Sequence, residues 1–405
     1  MYLSRTIEKK IHELSTFFPI LLLTGPRQVG KTTVLQTCAE SGRTVVSLDD
    51  PDVRALARND PGLFLQRFQP PLLVDEIQYA PQLLPYLKMI VDKNRQPGQF
   101  WLTGSQQFHL MKNVAESLAG RVGILKLAGL SLCEQQGRSN REPFLPEPEI
   151  VARRAVPGMD SPTLFHHIWK GSFPDLCSHD DSMWQAFYSS YLQTYIERDI
   201  RGLAQVGDEM RFLRFMKVLA ARTGQMLNAS EVARDVGASA NTISNWISIL
   251  QSTGLVYLLQ PYFNNMTSRA IKTPKLFFMD TGLACYLTGW SNPEVLESGA
   301  MSGPMLETFV ISEVIKSWWH NGREAPVFFY RNRDKQEIDL IIEENGLLYP
   351  VEIKKKSNPG PGDVRTFAVI ENKLQRQAGP GAVICTAPTH LPIRRDVLAV
   401  PVSCV

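Results

Sequence analysis

Along the first third of the chain, short apolar runs alternate with mixed segments. Ile20 to Leu23, Thr44 to Asp50, Pro71 to Glu76, Gln99 to Ser105 and Val122 to Leu127 each read as a strand, and segments opening at Thr33 and Arg54 read as helices. Pro71 to Glu76 shows no polar alternation before its two acids, the pattern of a strand covered on both faces of a parallel sheet. An α/β domain is expected over 1–135. Prolines 143, 146, 148, 157 and 162 among charged residues give 136–162 the composition of a linker or surface loop.

Beyond it, 163–294 reads as mostly helical. Met183 to Ile200 carries Trp184, Phe187, Tyr188, Tyr191, Leu192 and Tyr195 at spacings of three and four, a core face in preference to a base-stacking platform. From Phe212 to Phe263 the order is helix, helix, turn, helix, strand, with Asn228 as a cap and Gly237 as a stop. In the last region, 295–405, the amphipathic helix Met305 to Lys316 precedes strands at Val327 to Arg331, Glu337 to Glu343 and Leu348 to Lys354.

Composition narrows little beyond this. With 405 residues, 44% of them hydrophobic, the chain can bury two or three cores. A net charge of +3 leaves the partner open. The six cysteines form no C-x-x-C pair, which argues against zinc sites and a disulfide scaffold. The start Met1-Tyr2-Leu3-Ser4-Arg5 lacks a signal-like apolar core, and no apolar run approaches the roughly 18 residues of a membrane span. A cytoplasmic protein without membrane contact is expected.

The chemistry concentrates first at Gly25-Pro26-Arg27-Gln28-Val29-Gly30-Lys31-Thr32, followed by Thr33, between a strand and a helix. The spacing G-x-x-x-x-G-K-[ST] curls the main chain around an anion, so that successive N–H groups and a helix N-terminus face phosphates. Lys31 then reaches the β- and γ-phosphates of ATP, and the Thr32 hydroxyl ligates Mg2+. Asp75 and Glu76 end a strand where open α/β sheets bind ligands. Asp75 is a magnesium ligand, direct or through water, and Glu76 polarises the attacking water. Ser105, with Thr103 as the alternative, is a candidate contact to the γ-phosphate or the water. Arg121 is a candidate cationic finger, acting in cis or on a neighbouring subunit of a homo-oligomer that shares the nucleotide site, with a plain surface arginine as the alternative.

Gly25 to Thr32, Leu72 to Glu76, Leu102 to Ser105 and Ser117 to Arg121 together resemble the AAA+-type ATPase module of a widespread prokaryotic family. Its members join that module to a C-terminal domain long catalogued as of unknown function. The resemblance runs over nearly the full length and implies ATP binding and hydrolysis, with Lys31, Thr32, Asp75, Glu76 and Ser105 at nucleotide-site positions. Tyr195 to Ile200, which includes Arg198, matches a family string without an assigned role.

Phe212 to Phe263 resembles a winged helix-turn-helix, whose second helix would offer Asn241, Thr242, Ser244 and Asn245 to DNA. That helix holds no Lys or Arg, which favours a structural or docking role. In the last region Glu352 and Lys354 share a strand face; if their strand pairs with that of Asp339, two carboxylates and an amine converge, and Glu307 adds a third acid. Such a cluster suits Mg2+, with Lys354 orienting a water or stabilising the leaving phosphate. Glu307, Asp339 and Glu352-Ile353-Lys354 resemble a PD-(D/E)xK restriction-endonuclease-like core, with Tyr330 to Asp334 as its usual lead. A salt-bridged exposed hairpin, or a nuclease fold serving only for binding, are the alternatives. The expected function is an ATP-dependent action on DNA with metal-dependent cleavage; the alternative is a nucleotide-controlled switch that binds a partner without cutting.

Overall fold

A computed structural model describes residues 2–104, 114, 117–195, 209–263, 273–332 and 336–405. Ser105, Arg198 and the Arg333-Asp334 part of the nuclease-like lead lie outside the described residues. Five strands, β1 (Ile20–Thr24), β2 (Thr44–Ser47), β3 (Leu72–Asp75), β4 (Phe100–Gly104) and β5 (Val122–Lys126), form one parallel sheet in the order β2-β3-β4-β1-β5. Its apolar runs are continuous because both faces are covered. Ile20, Leu22, Leu72, Val74, Phe100 and Leu102 pack with Phe64, Leu84 and Leu87 on one face. Leu21, Leu23, Leu73 and Trp101 pack with Val34 and Leu35 on the other, in a core that continues into the rest of the chain.

That continuity explains why 136–162 does not behave as a tether. Phe144 is fully buried and its N–H donates to Ser317 Oγ at 3.0 Å. The helix Pro148–Arg154 buries Ile150 and Val151, and Gly158 N–H donates to Pro388 O at 2.8 Å. Pro148 lies in the first turn of that helix, where no amide is needed, so proline content marked a helix start as well as a loop.

The aromatic stripe on Trp184–Tyr195 faces inward. Trp184 stacks on Trp169 with centroids 4.5 Å apart, and the buried Tyr188 hydroxyl donates to Asp280 Oδ1 at 2.7 Å. Asp280 also accepts from Ser172 N and Oγ and from Leu283 N. A Cβ on Gly171 or Gly282 would sit about 2 Å from the Tyr188 oxygen, so both positions require glycine. Tyr188→Phe is expected to cost about 1.5–3 kcal/mol, the worth of a hydrogen bond to a charged group, measured by chemical denaturation.

Helices Glu209–Ala220, Ala229–Val236 and Ala240–Ser252 surround the short strand β6 (Gln225–Met226) and lead into β7 (Val256–Pro261) and β8 (Lys275–Phe278). β8 pairs antiparallel with both β6 and β7. β7 also pairs in parallel with β9 (Val327–Arg331), which extends through β10 (Glu337–Glu344), β11 (Leu347–Lys354), β12 (Gly381–Cys385), β13 (Leu391–Arg394) and β14 (Val397–Pro401). One nine-stranded sheet, β13-β14-β12-β11-β10-β9-β7-β8-β6, thus crosses the boundary expected at 294. The helix Ser302–Trp319 is buried along most of its length. Among the described residues no helix is long and apolar enough to cross a membrane.

Candidate functional site

Residues Gly25 to Thr33 lie at the carboxyl end of β1, in the crevice where a parallel sheet presents its loops. Gly25 takes φ 155°, and a Cβ there would lie 1.9 Å from Leu127 O, so only glycine lets the chain leave β1 beside β5. Gly30, at φ 87°, starts the helix Lys31–Cys38 and leaves its first amides facing the loop. Lys31 is buried, and its ammonium donates to Gly25 O at 3.1 Å and Pro26 O at 2.7 Å. Arg27 donates to the Tyr79 hydroxyl at 3.3 Å, Gln28 has a left-handed backbone (φ 61°), Val29 is buried, and Thr33 is exposed.

Across this loop, Asp75 ends β3. The Thr32 hydroxyl donates to Asp75 Oδ1 at 2.6 Å, Thr103 donates to the same oxygen, and Ser47 donates to Oδ2 at 3.3 Å. Three neighbouring strands and the loop helix therefore converge on one carboxylate. Glu76 follows in a left-handed conformation (φ 58°, ψ 48°); its N–H donates to Thr103 Oγ1 at 2.9 Å and its carboxylate accepts from Gln78. A non-glycine residue held there is a strained position of the kind that collects at functional sites. Beside the loop opens a cavity of about 480 Å³ lined by Tyr2, Gln28, Gly30, Thr33, Pro174 and His179, so the central region closes one side of the crevice.

Arg121 does not join this group within the chain. It precedes β5, whose first residue, Val122, pairs with Ile20, whereas the loop departs from the other end of β1. Its guanidinium pairs with Asp92 at 2.5 Å on an exposed surface. Five intervening pairs at about 3.3 Å rise put the length of the sheet between it and the loop at Gly25 to Thr33, which argues against the cis role.

In the C-terminal sheet the hairpin register, Leu340 opposite Val351, carries Asp339 beside Glu352. Lys354 Nζ lies 2.6 Å from Glu352 Oε2 and 3.4 Å from Asp339 Oδ2, and Asp339 also accepts from Ile353 N–H at 2.9 Å. Glu307 is held instead by Lys275 of β8, at 2.9 Å, whose ammonium also meets Glu337. Burial and the nearby Asp339 push Glu352 up to about 8 against the pull of Lys354. Burial, opposed by Lys275 and reinforced by Asp339, brings Glu307 to about 7.

Among the described residues no three His, Cys, Asp or Glu side chains are placed to hold a metal. The expected trio Glu307, Asp339 and Glu352 is therefore not a preformed cage: two ammonium groups occupy its oxygens. Lys275 was not singled out from sequence, although a lysine opening the apolar run Leu276-Phe277-Phe278-Met279 is the kind of buried charge that needs a partner. Arg5 and Ser47 had no such signal.

Residues 18–135 match the AAA domain family, and 161–294 and 302–405 match two domains of unknown function, DUF8612 and DUF4143. An uncharacterized protein of Mycobacterium tuberculosis is 29% identical over 383 residues, 95% of this chain and 80% of its own length. An uncharacterized protein of Haemophilus influenzae is 23% identical over 290 residues, covering 69% of this chain and 64% of its own. A solved Walker-type ATPase of Pyrococcus abyssi covers 69% of this chain and 94% of its own, with 13% identity and a TM-score of 0.44. The residues that form the cradle and the acid pair described above thus lie within the segment that matches an AAA domain.

Proposed function

We propose that this chain binds and hydrolyses ATP in its AAA-like domain and acts on nucleic acid through its central and C-terminal regions. The observation that carries the first half is the convergence of Thr32, Thr103 and Ser47 on Asp75 at the mouth of the cradle. Phosphates enter among the amides of Gly25 to Thr33, and Lys31 exchanges its two carbonyl acceptors for phosphate oxygens. The Thr32 hydroxyl and the Asp75 carboxylate are hard oxygen donors already 2.6 Å apart, a set that suits Mg2+, which neutralises charge on the β- and γ-phosphates when bound. Glu76 takes the proton of the attacking water, and Thr103 holds the acid pair in place through the Glu76 amide. Ser105 remains a proposed contact to the same water or phosphate. The adenosine end occupies the cavity beside Pro174 and His179.

If Arg121 serves as a cationic finger, it serves a neighbouring subunit of a homo-oligomer, because it lies at the far end of its own sheet; a plain surface arginine is the alternative. ATP turnover in wild type and Lys31→Ala decides the ATPase reading: loss in the variant supports it, and undiminished turnover removes it.

For the second half, the succession of helices Ala229–Val236 and Ala240–Ser252 and strands β7 and β8 supports the winged helix-turn-helix reading. Asn241, Ser244 and Asn245 are exposed on the second helix, while Thr242 is half-buried and hydrogen-bonded to the capping Ser239. The exposed trio offers amide and hydroxyl groups to base edges or phosphates. The adjacency of Asp339 and Glu352 in the sheet from β9 to β14 supports the restriction-endonuclease-like reading. Labelled DNA incubated with ATP and magnesium or manganese tests cleavage, with Asp339→Asn as the control: cutting lost in the variant supports a nuclease.

One observation favours the second reading, a nucleotide-controlled switch that binds without cutting. Lys275 and Lys354 already satisfy the carboxylates a metal would need. On that reading DNA binding responds to ATP while the DNA stays intact.

A further inference from the structure

Across a trans peptide the C=O of one residue and the N–H of the next point in opposite directions. Whatever holds the Val29 carbonyl therefore aims the Gly30 amide. The Val29 carbonyl accepts from Arg5 Nη1 at 2.9 Å, from the side of the loop that faces the N-terminal arm. Arg5 is itself buried: Nη2 donates to Ala128 O at 2.9 Å and Gly129 O at 3.2 Å, and Nε lies 3.2 Å from Glu134 Oε2 in an ion pair without a hydrogen bond.

The seat for Arg5 is the turn 128–134, which the C-terminal region holds in place. Glu134, fully buried, accepts from Thr6 N–H and Ser131 N–H and lies 3.3 Å from His320 Nδ1. His320 Nε2 accepts from Ala128 N–H at 3.2 Å, which assigns the ring proton to Nδ1, facing Glu134. The same turn is gripped twice more from the helix Ser302–Trp319, by Glu313 Oε2 accepting from Leu132 N–H and by Lys316 Nζ donating to Leu130 O. The phosphate loop and that helix thus share one buried, hydrogen-bonded segment, residues 128–134.

We propose that Arg5 is a positioning residue of the phosphate loop, and that Glu134 and His320 make its hold on Val29 depend on the seating of the helix Ser302–Trp319. The proposal rests on the ATP-binding reading above. It couples nucleotide occupancy to the C-terminal region in both directions, because a coupling between two sites is reciprocal.

The test measures fluorescent ATP-analogue binding and amide exchange on the full chain. Arg5→Met is expected to weaken binding about tenfold or more, His320→Gln about fivefold although it touches no loop atom, and Arg5→Lys to recover part of the loss by restoring one donor. In wild type the analogue slows exchange in 128–134 and 313–320, and in Arg5→Met it does not. Wild-type affinity in both folded Arg5→Met and His320→Gln overturns the proposal, as does unchanged exchange at 313–320 in wild type. Should Arg5→Met fail to fold, His320→Gln and the wild-type exchange still decide. Lys31→Ala separates the two levels: if it binds the analogue like wild type, the ATP reading itself fails; if it does not bind while Arg5→Met does, only the present proposal fails.

Discussion

Glu76→Gln is expected to lower ATP turnover by about 10²–10⁴-fold while leaving ATP affinity intact. The substitution keeps the shape of the side chain and removes its capacity to take a proton. The groups proposed to bind the phosphates and magnesium, Lys31, Thr32 and Asp75, are untouched, and the Glu76 amide keeps its bond to Thr103 Oγ1. The backbone at φ 58° turns this residue out of the line of β3, and its carboxylate accepts from Gln78. Phosphate release against fluorescent-nucleotide binding separates the two effects. Turnover at the wild-type rate would remove Glu76 as the base. Asp75→Ala, by contrast, is expected to lose both binding in the presence of magnesium and turnover, because it releases Thr32, Thr103 and Ser47 together.

The largest stability effect is expected at Glu134. Glu134→Gln leaves Arg5 as a buried cation without its counter-charge and is expected to cost about 3–5 kcal/mol, read from chemical denaturation of the full chain. Burial by itself would raise this carboxyl, but Arg5, His320 and the Ser131 amide hold it well below the usual carboxylate range. A depressed folded pKa means that the folded state gives up the proton before the unfolded one. The stabilisation is therefore complete above the ordinary value of 4.5 and is lost as pH falls below it. Wild type is expected to lose stability steeply below about pH 4.5, and Glu134→Gln to lack that part of the slope; parallel profiles would show that Glu134 is not the group responsible.

Much of the candidate nucleotide site was legible because its parts are local. The loop occupies consecutive positions, and Asp75-Glu76 sit directly after an apolar run. The aromatic stripe at helical spacing was read as core, and Trp184, Tyr188, Tyr191, Leu192 and Tyr195 are buried. Where reading failed, a local pattern had more than one tertiary outcome. Proline-rich 136–162 looked like a tether, yet the apolar residues between its prolines fill the core against the last region. Arg121 follows small residues at a plausible place in the order of motifs, but position in the sequence does not say at which end of a parallel sheet a residue lies; the register with β1 does.

By itself the sequence determined an anion cradle at Gly25 to Thr33 and an acidic pair at the end of a buried strand, because glycine placement and apolar continuity act over a few residues. The tertiary structure alone decided which groups meet across the chain: Thr103 and Ser47 on Asp75, Lys275 on Glu307, and Arg5 under the phosphate loop. Those contacts join residues 24 to 32 positions apart on different elements, and no local periodicity encodes them. They follow from strand order and register, which are set by packing the two faces of each sheet.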